Sequence, residues 1–446
     1  LTFGLVFIKL FNKSPDYIIQ KMTTNFFIYI AILFIPLYSI HFSLFKIPFN
    51  VWEILVLIAV ITWILDFCFK KESRKNNLEK ISFLLKKFGI AFLLLAIGLF
   101  LSLFKSENYL ISWGIIKGWF FFPFLLGILV FLKTYDRRDI ENFIKFLFFS
   151  ISAVAVIALF YLLAGKLTYD KRLTAFYFSP NYLAMYLSPG LIIGLFNLWK
   201  LASVFQEEQK LKNRSLFFIY QFLFRIKNWP LIIGNFLLII ILYFTYSYAA
   251  WITTLVILSG LYLIFSVNKK KFVFFLGTLL IIGNLLFVFQ YKNPKFQSLA
   301  NFDERSSLAS RIMIWQSAIK ILKDNWLLGI GPGTFQKKYT EYQKFFPPYL
   351  EWSAPQPHNI YLAFWLQSGL LGLLGFLLLV FSWLKNIANL KSYEEKILIA
   401  PLAGVMFYFL IHGLADTPYW KNDLAAIFWL IFFLGMNLFF LKNQKA

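Results

Sequence analysis

Apolar runs long enough to cross a bilayer recur along most of this chain, separated by short stretches rich in Lys and Arg. A spanning helix needs about 20 apolar residues. Runs of that kind lie near 25–45, 49–69, 88–104, 112–132, 143–163, 182–199, 229–246, 249–268, 272–290, 358–384, 397–414 and 424–441. The pattern predicts an all-α polytopic membrane protein with about 12 transmembrane helices and one long polar interruption. The expected organisation is an N-terminal transmembrane bundle of nine spans over 1–290, an extracytoplasmic loop over 291–357 and three C-terminal spans over 358–446.

Short helices are expected inside that loop. Over 307–324, Arg311, Trp315, Ala318 and Leu322 recur at helical spacing on one face, with Lys320 and Asp324 off it. Ser306 or Ser307 can cap its start. Gly329, Gly331, Pro332 and Gly333 then end the helix, and Pro347, Pro348, Pro355 and Pro357 keep the chain extended up to His358, where an apolar run begins. No internal repeat is visible.

Composition agrees with membrane residence: 60% of residues are apolar and 21% aromatic, far from soluble usage. The net charge of +23 can suggest nucleic acid, but most of the basic residues sit in alternate loops, on one side of the predicted spans. That asymmetry reports orientation, with both termini cytoplasmic and 291–357 outside. No nucleic-acid partner is expected; membrane lipids are. The single cysteine, Cys68, allows no intrachain disulfide and no cysteine-built metal site. Neither a metal nor a cofactor is expected. The first residue is Leu, and 1–24 are too charged for a cleaved signal peptide, so the first span is expected to act as its own uncleaved signal.

Chemistry is expected at the outer segment. His358, one of three histidines, opens a span at its outer mouth, where a neutral imidazole can accept a proton from an attacking hydroxyl. The alternative is an interfacial histidine that only caps the helix. His41 and His412 have no comparable polar neighbourhood in sequence. Arg172, Arg305 and Arg311 are the only arginines placed on the outer side. Guanidinium groups bind phosphate oxygens at two points and stay charged when desolvated, although each can also anchor a lipid head group. Gly329 to Gly333 is similar to a phosphate-cradling loop. It follows a helix, however, and lacks the Lys-Ser/Thr pair, so a tight outer-surface turn is the better account. Of the charges within spans, Glu53 and Asp66 lie near opposite ends of one run, where snorkelling suffices, whereas Lys117 is placed to meet a lipid phosphate. Asp416 lies at an outer end, where it can orient an arginine or the histidine.

Several of these residues fall in an order that resembles the O-antigen ligase and O-antigen polymerase family of bacterial membrane glycosyltransferases. The matching runs are Arg172 to Ala184 with Asn181, Thr245-Tyr-Ser-Tyr-Ala-Ala-Trp251, Arg311 with Trp315, Gly329 to Phe335, and His358-Asn359 leading to Gly369-Leu-Leu-Gly372. The resemblance implies a GT-C-like fold in the bacterial plasma (inner) membrane, with a metal-independent active site facing the periplasm. It also implies a glycan donor linked to undecaprenyl pyrophosphate. In that frame His358 is the general base or acceptor-positioning group, and Arg311, with Arg305 or Arg172, holds the pyrophosphate. Tyr248, Asn359 and Asp416 support them. Many members carry Ser-Arg-Gly-Ala where this chain has Ser247-Tyr-Ala-Ala250, which puts Tyr248 in place of an arginine.

The acceptor stays open. A lipid A-core acceptor makes a ligase, a growing glycan makes a polymerase, and a protein hydroxyl makes an O-oligosaccharyltransferase. A lipid-linked glycan transporter or binding protein is the rival from another class, for which repeat symmetry and polar groups at the midplane are expected instead.

Overall fold

The computed structural model describes residues 15–44, 47–211, 217–265, 290–301, 306–347 and 353–444, with Gly277 and Val288 between them. In chain order come α1 (Pro15–Leu33), a hairpin of β1 (His41–Leu44) and β2 (Ile47–Asn50), α2 (Val51–Phe69), α3 (Lys71–Leu103) and α4 (Tyr109–Lys133). Then follow α5 (Arg137–Leu163), α6 (Pro180–Leu211), α7 (Phe217–Phe244) and α8 (Tyr248–Phe265). Three helices of the long polar segment come next, α9 (Pro294–Ala300), α10 (Ser307–Asn325) and α11 (Phe335–Tyr342). The chain closes with α12 (Ile360–Ala388), α13 (Tyr393–His412) and α14 (Asn422–Asn443).

Among the described residues, nine helices are long and apolar enough to cross a membrane: α2 to α6, α8 and α12 to α14. Shorter apolar stretches, Thr24–Leu33 and Asn228–Phe244, stand where the first and seventh spans are expected. The expected span at 272–290 lies outside the described residues apart from Gly277, Val288 and Gln290. The first apolar run, read as one helix to residue 45, ends at Leu33 instead. A 3-10 turn over Ile35–Ser39 and the hairpin replace its second half, because Pro36 has no N–H for a continuing helix.

α14 is the most enclosed of the spans and packs against α4, α12 and α13. Glu53 and Asp66 are buried and paired with lysines, and do not snorkel. Asp66 accepts from Lys133 at 2.5 Å, Lys70 at 2.5 Å and Thr24 at 2.7 Å. Glu53, itself buried, pairs with Lys117 at 2.8 Å and forms a capping box with Asn50. Lys117 therefore meets a carboxylate, the Pro48 carbonyl and the Phe49 ring, not the lipid phosphate expected for it.

The polar segment is keyed into α12. Phe364 and Phe376 stack with centroids 4.0 Å apart, although twelve residues of straight helix span about 18 Å. The helix is broken at Gly369, which has φ 68° and ψ −177°. Backbone from 327–330 fills the break: Ile330 N donates to Leu366 O at 2.6 Å and Leu370 N to Leu327 O at 2.9 Å. These bonds satisfy groups that a break would otherwise orphan in a low-dielectric region. Gly329 has φ +69°, and a Cβ there would stand 2.3 Å from Leu366 O. The glycine turn is thus a buried wedge and not the surface turn expected, since the positive φ and the close approach to α12 both demand glycine. α3 completes the seam, with Gly98 against Gly372 and Ser102 Oγ donating to Gln367 O at 3.0 Å. Small residues permit this contact between helices.

Candidate active site

His358 precedes α12, whose start is set by Asn359. The Asn359 side chain accepts from Tyr361 N and Leu362 N and donates to Leu414 O at 3.1 Å. Ile360 N also donates to Gly413 O at 2.7 Å. These bonds tie the beginning of α12 to the end of α13 and bring Asp416 under the histidine. His358 Nδ1 lies 2.9 Å from Asp416 Oδ1. An ionised carboxylate can only accept, so Nδ1 carries the proton and the Nε2 lone pair is left to act. Burial alone would raise the Asp416 carboxyl; its contacts with His358 and Arg311 outweigh that and hold it well below the usual carboxylate range.

Arg311 reaches the same carboxylate from α10. That helix is capped by Ser306, whose Oγ accepts from Ala309 N at 3.2 Å. Its buried stripe runs through Met313, Ile314, Ser317, Ala318, Ile321 and Leu322, a slight rotation from the face expected, which leaves Arg311 and Trp315 on the margin facing α12. Trp315 Nε1 donates to His358 O at 3.2 Å. Arg311 Nη2 lies 3.4 Å from Asp416 Oδ2. Its Nε is buried and has no hydrogen-bond partner among the described residues. A buried guanidinium edge left open is costly unless something accepts from it.

Arg172 arrives from the loop between α5 and α6. Its Nε donates to Thr245 O at 2.8 Å and its Nη2 to Asn181 Oδ1 at 2.7 Å, while Asn181 Nδ2 donates to Asp416 Oδ2 at 3.3 Å. Asn181 therefore bridges Arg172 to the carboxylate that Arg311 reaches directly. Asp170 stands 3.8 Å from Arg172. Arg305 lies outside the described residues. Tyr248 donates its hydroxyl to Gln290 Oε1 at 3.0 Å, and its ring carries the ammonium of Lys295 5.3 Å from the centroid. Lys295 was not among the residues anticipated; a lysine in a basic segment has no distinguishing signal in sequence. His412, fully buried and stacked on Tyr408, lies one turn before Asp416, whose N–H it accepts; His41 is exposed on β1.

The backbone is strained here and nowhere else among the described residues. All four non-glycine residues with positive φ adjoin this cluster: Lys171 at 57°, Ala175 at 52°, Tyr246 at 46° and His358 at 47°. Such conformations cost about 1–3 kcal/mol each and persist where the surroundings over-determine them. An apolar groove of about 430 Å³ starts at Asn359 and Trp315 and descends past Leu362 and Trp365 to Leu377.

Fold and site together define a polytopic α-helical membrane protein with a cationic cluster and an oriented histidine at one end of its bundle. The family model described as O-antigen ligase matches residues 233–377, so that segment is similar to the O-antigen ligase family, as the motifs had suggested. The matched stretch holds Tyr248, Arg311, the glycine wedge and His358, while Arg172, Asn181 and Asp416 join it only through the fold. No curated protein matches the chain significantly.

Proposed function

We propose that this chain transfers a glycan from undecaprenyl pyrophosphate to an acceptor hydroxyl at the outer face of the bacterial plasma membrane. The observation that carries this reading is the single carboxylate of Asp416, which orients His358 and Arg311 at once and, through Asn181, aligns Arg172. A base and an anion clamp held on one pivot suit a reaction that removes a proton from one substrate and a diphosphate from the other.

In the proposed step, His358 Nε2 takes the acceptor hydroxyl proton as that oxygen bonds to the anomeric carbon. The bond from that carbon to the phosphate oxygen breaks with its electron pair on the leaving diphosphate. Arg311 and Arg172 stabilise the charge that develops there, and a single displacement inverts the anomeric configuration. The groove beside α12 offers an apolar path for the isoprenoid chain, leading from the histidine along the helix flank.

Purified protein given undecaprenyl-diphosphate-linked glycan and candidate acceptors tests the proposal. Release of undecaprenyl diphosphate coupled to acceptor glycosylation is the expected result, and no acceptor-dependent release overturns it. The glycan pattern of a complemented deletion strain assigns the acceptor, since loss of attachment marks a ligase and single-repeat products mark a polymerase. Orientation is read by fusing reporters at Asn76, Glu208 and Gln343, of which only Gln343 should give periplasmic activity.

A further inference from the structure

Lys295 takes the carbonyl next to the one that Arg172 holds at the α7–α8 junction, Tyr246 O beside Thr245 O. Its ammonium donates to Tyr246 O at 2.7 Å and lies over the Tyr248 ring, which uses one of its three donors. Among the described residues it has no carboxylate at ion-pair distance. The charged groups that act on it are Arg172 and Asp170 from the α5–α6 loop, Arg311 from α10 and Asp416 from the α13–α14 loop. The tyrosines at the α7–α8 junction, Tyr246 and Tyr248, complete its surroundings. Three cations therefore face two carboxylates, and both carboxylates already have a cationic neighbour at ion-pair distance, Asp170 in Arg172 and Asp416 in Arg311.

We propose that Lys295 is a third cation of the diphosphate site and that it takes up a proton when the diphosphate enters. The inference rests on the functional reading above and adds a residue to its donor-binding machinery. Guanidinium groups do not release their protons, so in the empty site the crowding of positive charge is relieved at the lysine. Burial pushes the Lys295 ammonium down to about 7, and Arg172 and Arg311 add to that shift. A diphosphate reverses the local sign and favours the charged lysine, whose two remaining N–H donors then have acceptors.

Binding of undecaprenyl diphosphate to the purified full chain, followed by titration calorimetry in two buffers of different ionisation enthalpy, tests the idea, with undecaprenol as the uncharged control. At about pH 8 the phosphates are already ionised, so the wild type should take up protons on binding. Its affinity should fall as pH rises through the range from 7 to 9, by at most about tenfold per unit for one proton. Lys295→Met should weaken binding by about tenfold near neutrality, as loss of a charge-assisted contact does, and should flatten this pH dependence. Lys295→Arg should keep the affinity at the higher pH and abolish the proton uptake, which separates the lysine from His358. If the wild type binds undecaprenyl diphosphate in preference to undecaprenol but takes up no proton, or if both variants reproduce its affinity and uptake, Lys295 has no such role while the functional reading stands. Equal binding of the two lipids by the wild type overturns both.

Discussion

Two buried aspartates in this molecule each collect two basic groups, and they do so in opposite styles. Asp66 is closed by Lys133 and Lys70 at 2.5 Å and by Thr24 at 2.7 Å, between regular helices. Asp416 holds its partners more loosely, at 2.9 Å from His358, 3.4 Å from Arg311 and 3.3 Å from Asn181, on segments that include residues in left-handed conformation. In the first cluster two ammonium groups and a hydroxyl close on both carboxylate oxygens. The second leaves a guanidinium edge and an imidazole nitrogen open. A buried ion pair gains little unless its remaining donors and acceptors are satisfied, so the contrast separates a joint of the bundle from the cluster we propose as the diphosphate site.

Removing one member from each cluster should break the protein in different ways. His358→Ala is expected to lower the turnover rate by about 10²–10⁴-fold, the usual loss for a general base, with donor binding largely kept; steady-state transfer and equilibrium donor binding measured on the same preparation check this. Near-normal turnover would remove the histidine from the chemistry. Asp66→Ala should act through stability instead. Stranding Lys133 without its carboxylate costs about 3–5 kcal/mol, seen as a lower unfolding temperature in detergent, with unchanged donor affinity in the molecules that stay folded. If donor affinity fell in proportion, the two clusters would not be separate.

Arg311→Ala should weaken donor binding by about ten- to a hundredfold, matching about 1.5–3 kcal/mol for a hydrogen bond to a charged group. Arg311→Lys should restore only part of it, because an ammonium cannot reproduce the planar two-point contact. Full rescue by lysine would reduce the clamp to a point charge. Because Asp416 is held well below the usual range, it stays ionised through the mildly acidic region, and its contribution is lost only as pH falls through that depressed value. The acid limb of the rate profile should therefore survive, displaced, in Asp416→Asn; its disappearance would assign the limb to the aspartate. The smallest effect is expected from chelation. Glycan transfer should persist in EDTA if guanidinium and ammonium groups supply the positive charge, and restoration of a lost rate by added divalent ion would overturn this.

The helical plan was legible because hydrophobic run length is dictated by the bilayer and not by partners. His358 stood out for a similar reason, being a titratable group at the first residue of an apolar run. The pairing of Glu53 with Lys117 was hidden, since the two are 64 positions apart and only packing decides whether an intramembrane charge reaches water or a counter-ion. Asp416 was visible as a candidate, but its role as a pivot depends on the α12–α13 junction, to which sequence spacing gives no access. Lys295 was invisible. Its significance lies in what surrounds it, and most of those groups come from elsewhere in the chain.

The wedge at Gly329 lends two backbone bonds to a helix interrupted at Gly369. As a consequence, the polar segment is not an interchangeable cassette. A chimaera that imports a relative's loop while keeping this chain's α12 would leave carbonyl and amide groups unsatisfied where water is scarce, so the loop and the first half of α12 must be inherited together. Under the proposed function, changes in acceptor preference must fall at positions that spare this joint, such as the solvent-facing sides of α10 and α11.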